Sequence, residues 1–285
     1  MTMKGACLCG TLRYEVDGPF SMVMSCHCSM CRKHHGSPFA TFAAAPLEGF
    51  RWLAGEGSVG AVQSSQNGKR YFCRVCGSVA PLLMRDWNMA VVFPGNLEGA
   101  PDVRVEAHIF VGSKAPWHSI EDDLPQYAEY PPSFAGSSAV PRPAIADKPG
   151  VTQGSCLCGE VAYELTGAAR TMYQCHCSRC RRARSAAHGA NVFYKAEQLR
   201  WIRGESQVVD YQLPEAERFG VAFCRNCGGA VPRVSKDGTV VVVPAGGLDT
   251  DPGIRPSAHI CVTSKAPWFE IRDSIPQLDG LPPPR

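Results

Sequence analysis

The chain has 285 residues, enough for one large domain or two ordinary ones, and 45% of them are hydrophobic, so core material is sufficient. A formal charge of +3 with no lysine-rich tract argues against a nucleic-acid partner, which needs a concentrated basic face. The N-terminus has no apolar signal-like run before its first cysteines, and no apolar stretch is long enough to span a bilayer, so a cytoplasmic protein without membrane contact is expected.

In chain order, residues 11–16, 90–93 and 103–111 are short, alternating and rich in β-branched side chains, and they read as strands between glycine and proline turns. Residues 131–150 are dominated by proline, alanine and serine without apolar period, the composition of an extended linker. Beyond it, residues 160–165 and 239–243 again read as strands. No stretch carries a long amphipathic helix. The expectation is mostly antiparallel β on both sides of the linker, with domains at 1–130 and 151–285.

The two halves are copies of one another. Gly5-Ala-Cys-Leu-Cys-Gly10 recurs as Gly154-Ser-Cys-Leu-Cys-Gly159, and Cys26-His-Cys-Ser-Met-Cys-Arg32 recurs as Cys175-His-Cys-Ser-Arg-Cys-Arg181, each displaced by 149 positions (154 − 5). Phe72-Cys-Arg-Val-Cys-Gly77 recurs as Phe223-Cys-Arg-Asn-Cys-Gly228, displaced by 151 (223 − 72), and so does the segment from His108 to Trp117, as His259 to Trp268. The second copy has therefore gained two residues, which the pattern places in a loop near residues 211–218.

Fifteen cysteines without an export signal point to metal rather than disulfides, because the cytosol keeps thiols reduced. Fourteen pair off between the copies; the fifteenth, Cys261, aligns with Phe110 and reads as a small core hydrophobe. Seven thiolates cannot all serve one tetrahedral zinc, so the simplest division is four plus three. Cys7 and Cys9 with Cys73 and Cys76, and Cys156 and Cys158 with Cys224 and Cys227, can close structural sites. A C-x-C pair on extended backbone presents both sulfurs on one face, and the glycine after C-x-x-C permits positive φ. Cys26, Cys28 and Cys31, and Cys175, Cys177 and Cys180, supply only three ligands each, which leaves a position for water or substrate. Four zincs per chain follow. The bland reading has all seven thiolates structural, with His27 or His176 as the missing ligand. Against it, each histidine directly follows a cysteine and points away from the sulfurs on extended backbone.

These motifs, G-x-C-x-C-G, C-H-C-S-x-C-R, C-R-x-C-G and H-I-x-V-x-S-K-A-P-W, resemble those of the glutathione-dependent formaldehyde-activating enzymes, the GFA/CENP-V group, over nearly all of both copies. The resemblance implies two tandem β-tent zinc domains with the four-cysteine sites structural and the three-cysteine sites catalytic. It also implies carbon–sulfur lyase activity, the condensation of a glutathione-like thiol with formaldehyde or a related small aldehyde. A family Gly-Ser is present as Gly36-Ser37 but replaced by Ser185-Ala186, so the second pocket is expected to differ.

A zinc held by three thiolates is a weak Lewis acid that suits a thiolate nucleophile, and holding thiol and carbonyl together acts mainly through proximity. Arg32 and Lys33, with Arg181, Arg182 and Arg184, follow the triplets and can hold carboxylates of an acidic substrate; an ordinary solvated basic face is the alternative. His27 and His176 suit hydrogen bonding behind the ligands, His34 and His35 read as local surface residues, and His108 and His259 as satisfied structural histidines. Trp117 and Trp268 read as core anchors. The two domains are expected to pack as a pseudo-dimer. Competing functions are a hydrolase or lyase of the same fold on another small electrophile, and a non-catalytic zinc interaction module.

Overall fold

The computed structural model of the chain describes residues 2–66, 68–99, 101–132 and 148–282, so most of the expected linker lies outside the described residues. The first copy begins with the antiparallel strands Thr2–Ala6 and Arg13–Asp17, joined by Phe50–Ala54 in a three-stranded sheet. Cys7 and Cys9 sit in the turn between the first two strands, where the Leu12 amide donates to Cys7 Sγ at 3.3 Å. A second sheet runs in the order Ala107–Ile109, Ser21–Cys26, Ala40–Pro46, Met89–Val92, Leu82–Met84. The hairpin Val59–Ser65 and Gly68–Cys73, with Val79–Ala80, forms a third. The second copy repeats the plan, its large sheet extended by Gln277–Leu278. The molecule is mostly β, in two similar domains. Pairing is not wholly antiparallel, however: Ala107–Ile109 runs parallel to Ser21–Cys26, and Ala258–Ile260 parallel to Thr171–Cys175.

Each copy also has one short helix, α1 (Ser29–His35) and α2 (Ser178–Arg184). These seven-residue helices carry no long amphipathic stripe, and a cysteine stands at each start. Cys28 Sγ accepts from the Cys31 amide at 3.3 Å and Cys177 Sγ from the Cys180 amide at 3.4 Å, the N-cap role usually taken by an oxygen. The helices end on left-handed residues, Gly36 (φ 64°) and Ser185 (φ 50°). The gained residues lie in the hairpin turn after Val208–Gln212. There the Gln212 side chain donates to Ala216 O (2.6 Å) and Phe219 O (3.0 Å).

The copies pack on each other reciprocally. Trp117 belongs to the core of the second copy, beside Tyr163, Leu165 and Met172, while Trp268 packs against Tyr14, Val16 and Val23 of the first. These tryptophans are core anchors, each anchoring the other copy's core. The turn residues Leu213 and Ala216 cover Cys7, Cys73 and Cys76 from across the interface. Backbones approach closely enough to demand glycine: a Cβ on Gly95 would lie 2.3 Å from the Ala186 amide nitrogen, and one on Gly246 2.3 Å from Arg32 O.

Several charged or polar residues expected near solvent are buried, and most of them meet the other copy. His34 and His35 are 2% and 0% exposed, which corrects their reading as surface residues; His35 Nδ1 meets Arg184 O at 2.7 Å. Lys33, 1% exposed, pairs with Asp249 at 2.6 Å and donates to Ser155 Oγ at 2.6 Å. Ser37 Oγ donates to His188 O (2.8 Å) and Ser185 Oγ to Val79 O (3.0 Å), so the Gly-Ser difference between copies lies at the interface.

Candidate metal centres

The fourteen paired cysteines gather into four groups: Cys7, Cys9, Cys73, Cys76; Cys156, Cys158, Cys224, Cys227; Cys26, Cys28, Cys31; and Cys175, Cys177, Cys180. Within each group all sulfurs lie within 4.8 Å of one another, and all fifteen cysteines are free thiols. A tetrahedral zinc with Zn–S of about 2.3 Å requires sulfurs about 3.8 Å apart. In the four-cysteine groups, Cys7–Cys9 is 3.4 Å, Cys9–Cys73 3.7 Å, Cys156–Cys158 3.5 Å and Cys158–Cys224 3.9 Å. The donor set and its spacing fit zinc.

Positions follow from local backbone. The turns after Cys76 and Cys227 pass through Gly77 (φ 73°) and Gly228 (φ 68°), a conformation that side chains resist. A Cβ at either glycine would also strike a phenylalanine of the other copy, Phe223 or Phe72, at 2.5 and 2.3 Å. Crowding polarises the thiols. Hydrogen bonding from Cys7, then Cys73, holds the Cys9 thiol far below its ordinary range, and hydrogen bonding from Cys26, then Cys31, lowers Cys28. Such groups favour a shared cation because buried thiolates repel one another.

The three-cysteine groups lie where an inner strand of each large sheet, Ser21–Cys26 or Thr171–Cys175, runs into α1 or α2. Met22, Met24, Met30, Phe110 and Tyr127 pack around Cys26, Cys28 and Cys31. No fourth Cys, His, Asp or Glu ligand atom joins either trio within the 4.8 Å limit among the described residues. His27 turns away: its Nε2 meets His108 Nδ1 at 2.9 Å, and His108 Nε2 meets Asp122 at 3.0 Å. Asp122 can only accept, so His108 Nε2–H donates to it and His108 Nδ1 accepts from His27 Nε2–H. The second copy repeats the run through His176, His259 and Asp273, with 2.8 and 3.0 Å contacts. Burial, then His118 and His108, pushes His27 down to about 2, which keeps the imidazole neutral.

These runs open on an inter-copy cavity of about 400 Å³, lined by His108, His118, Asp122, His188, His259 and Asp273, among others. The two aspartates were not among the sequence candidates. Their signal was present in the repeat, as Asp122 and Asp273 stand at matching places before Leu-Pro-Gln and Ile-Pro-Gln, two residues further on.

Among the expected carboxylate holders the outcomes diverge. Lys33 is withdrawn into the interface ion pair, Arg182 reaches Glu98 of the other copy at 3.3 Å, and Arg181 is half-buried beside Cys177. Arg32 lies in α1 with its Nε buried. The cation that touches the first trio is one the sequence did not single out. Arg70 Nη2 donates to Cys31 Sγ at 3.5 Å. Burial works against its charge, but Cys31, Cys28 and Cys26 outweigh burial and raise its pKa. Val221 stands at the matching place of the second copy, by the 151-residue offset. A lone arginine in a strand carries no motif; only folding brings it to the cysteines.

The sequence profile of the family described as glutathione-dependent formaldehyde-activating enzyme matches residues 2–113 and 151–264. No curated protein matches the chain. Among solved structures, a Rhodobacter sphaeroides protein aligns at 26% identity over 36% of this chain and 97% of its own, with a TM-score of 0.30. No helix among the described residues is long and apolar enough to cross a membrane.

Proposed function

The chain belongs to the glutathione-dependent formaldehyde-activating family, and from that premise we propose that it is a zinc-dependent carbon–sulfur lyase joining a small thiol to formaldehyde or a related aldehyde. The observation that carries this reading is the buried trio Cys26, Cys28, Cys31, three thiols converging with no fourth ligand atom among the described residues. Three protein ligands leave a tetrahedral zinc one position for an exogenous group. A zinc held there supplies a cationic centre that favours the thiolate form of an incoming thiol.

This chain's own residues do the rest. Cys7, Cys9, Cys73 and Cys76, with Cys156, Cys158, Cys224 and Cys227, hold structural zinc. That ties each first turn to the middle of its domain, which is worth roughly 10–16 kcal/mol in small zinc peptides. His27, fixed by His108 and Asp122, braces the backbone between Cys26 and Cys28. Phe110, Tyr127 and the methionines keep water from the reacting sulfur, and Arg70 offers its positive charge beside Cys31. Sulfur adds to the carbonyl carbon, one S–C bond forms, and the thiol proton ends on the former carbonyl oxygen. Arg32 and Arg181 remain the candidates for substrate carboxylates. The reading places the protein in a reducing compartment, the cytoplasm, where fifteen thiols stay free, with domains at 1–130 and 151–285 packed as a pseudo-dimer.

The test is zinc content and glutathione titration of the full chain. Wild type is expected to hold four zincs; Cys28→Ser loses one, stays folded and loses calorimetric thiol binding at the first copy. Unfolding of Cys28→Ser, or thiol binding unchanged by it, overturns the assignment.

A further inference from the structure

Positions 110 and 261 form the same wall of the three-cysteine site in the two copies. Each directly follows its parallel strand, Ala107–Ile109 or Ala258–Ile260, and each holds a left-handed backbone with φ 57°. The matching chain paths carry different chemistry. In the first copy Phe110 packs on the trio with its ring against Tyr130, centroids 4.6 Å apart. In the second, Cys261 packs half-buried against the cluster of Cys175, Ala258 and Ile260, on which Cys177 and Cys180 also pack. Its backbone is anchored, the amide donating to Gly280 O at 3.1 Å and the carbonyl accepting from Ser264 at 3.1 Å. Cys261 is therefore a fourth thiol beside a three-thiol group, outside the 4.8 Å within which the three sulfurs gather.

We propose that Cys261 is the fourth ligand of the second copy's metal centre, which closes it as a four-thiolate zinc site and leaves the first copy as the open one. This rests on the reading above that the trios hold zinc. The Cys261 sulfur stands outside the mutually close trio, and a change of staggered rotamer is the motion ligation requires. Loading exchanges the Cys261 S–H for a sulfur–zinc bond and releases one proton, with no oxidant or reductant involved. Four thiolates around Zn²⁺ carry a formal charge of −2, and a buried charge of that kind must be paired. Arg184, buried, lies in the field of Cys180, and half-buried Arg181 in that of Cys177. In the first copy the trio has Arg70 beside it and an aromatic wall in place of a fourth sulfur.

The difference predicts unequal metal exchange. In the zinc-loaded full chain, native alkylation with iodoacetamide followed by peptide mapping should find Cys261 protected to the same extent as Cys175, Cys177 and Cys180. Cys261→Ala, at a half-buried site that leaves the fold intact, should still bind four zincs. It should release one of them to a chromophoric chelator at least roughly tenfold faster, with the other three unchanged. The converse variant, Phe110→Cys, should slow release from the first copy. Rapid alkylation of Cys261 while the trio stays protected, or unchanged release in Cys261→Ala, overturns the closure and leaves the zinc reading standing. If the trio itself is unprotected, the zinc reading fails and the closure fails with it.

Discussion

The thiols and the imidazoles are governed by opposite physics. A thiolate gains by sharing a cation with its neighbours, whereas a buried imidazole gains by staying neutral. His188 is 1% exposed, and burial, then His176, His259 and His118, holds its pKa well below the ordinary value. Its unfolded form titrates near about 6.5, so between that value and the depressed folded one the unfolded chain binds the extra proton. The stabilising contribution of a neutral His188 is thus complete above about pH 6.5 and is lost as pH falls below it. One pH unit lower, the loss is about 1.4 kcal/mol. His188→Phe, which copies the Phe39 of the matching site, should therefore lose less urea stability than wild type on going from about pH 7.5 to 5.5, by about that amount. Equal losses in the two proteins would exclude the burial argument. At this scale the clustered sulfurs were legible because C-x-C and C-x-x-C spacings are local. Arg70, Asp122 and the burial of His34 were not, because what those residues touch is set by distant segments.

Strands were legible where β-branched side chains alternate, and their bounds moved where pairing partners run out. The segment 103–111 reads as one long strand, yet only Ala107–Ile109 pairs. The short helices were not announced by any apolar period; a seven-residue helix capped by a cysteine is too brief to carry one. The Trp-bearing segments were recognisable as anchors but not as exchanged ones, since sequence gives a tryptophan's need for burial and not its address. Trp117→Ala removes a side chain that is 3% exposed and should destabilise the second copy's core by roughly 3–5 kcal/mol, although Trp117 belongs to the first copy. Hydrogen exchange mapped by copy checks this: loss of protection confined to the first copy would contradict the exchange. Gly95→Ala places a methyl against the Ala186 backbone and should cost roughly 1–3 kcal/mol, read as a shift of the urea midpoint.

The interface between copies holds parts that single domains keep for themselves: tryptophan anchors, an ion pair of buried Lys33 with Asp249, covers over the four-cysteine sites and the cavity. Neither copy is therefore expected to be self-sufficient. Residues 1–132 and 148–285, expressed together as separate chains, should co-purify as a pair, while either alone should aggregate or fail to unfold cooperatively. A monomeric, cooperatively folded first copy would refute that dependence.

By itself the sequence determined the duplication, the mostly β character, the grouping of fourteen cysteines and the oddity of Cys261. These follow from short-range spacing and from a repeat that can be aligned by eye. The tertiary structure decided which residues the second copy lends the first. It drew Lys33, His34 and His35 inside, set Arg70 on Cys31, and moved Cys261 from an assumed core to the edge of a thiol cluster. Those outcomes depend on where separated backbones meet. No local pattern encodes that meeting, because it is fixed only when both copies bury their apolar faces against each other.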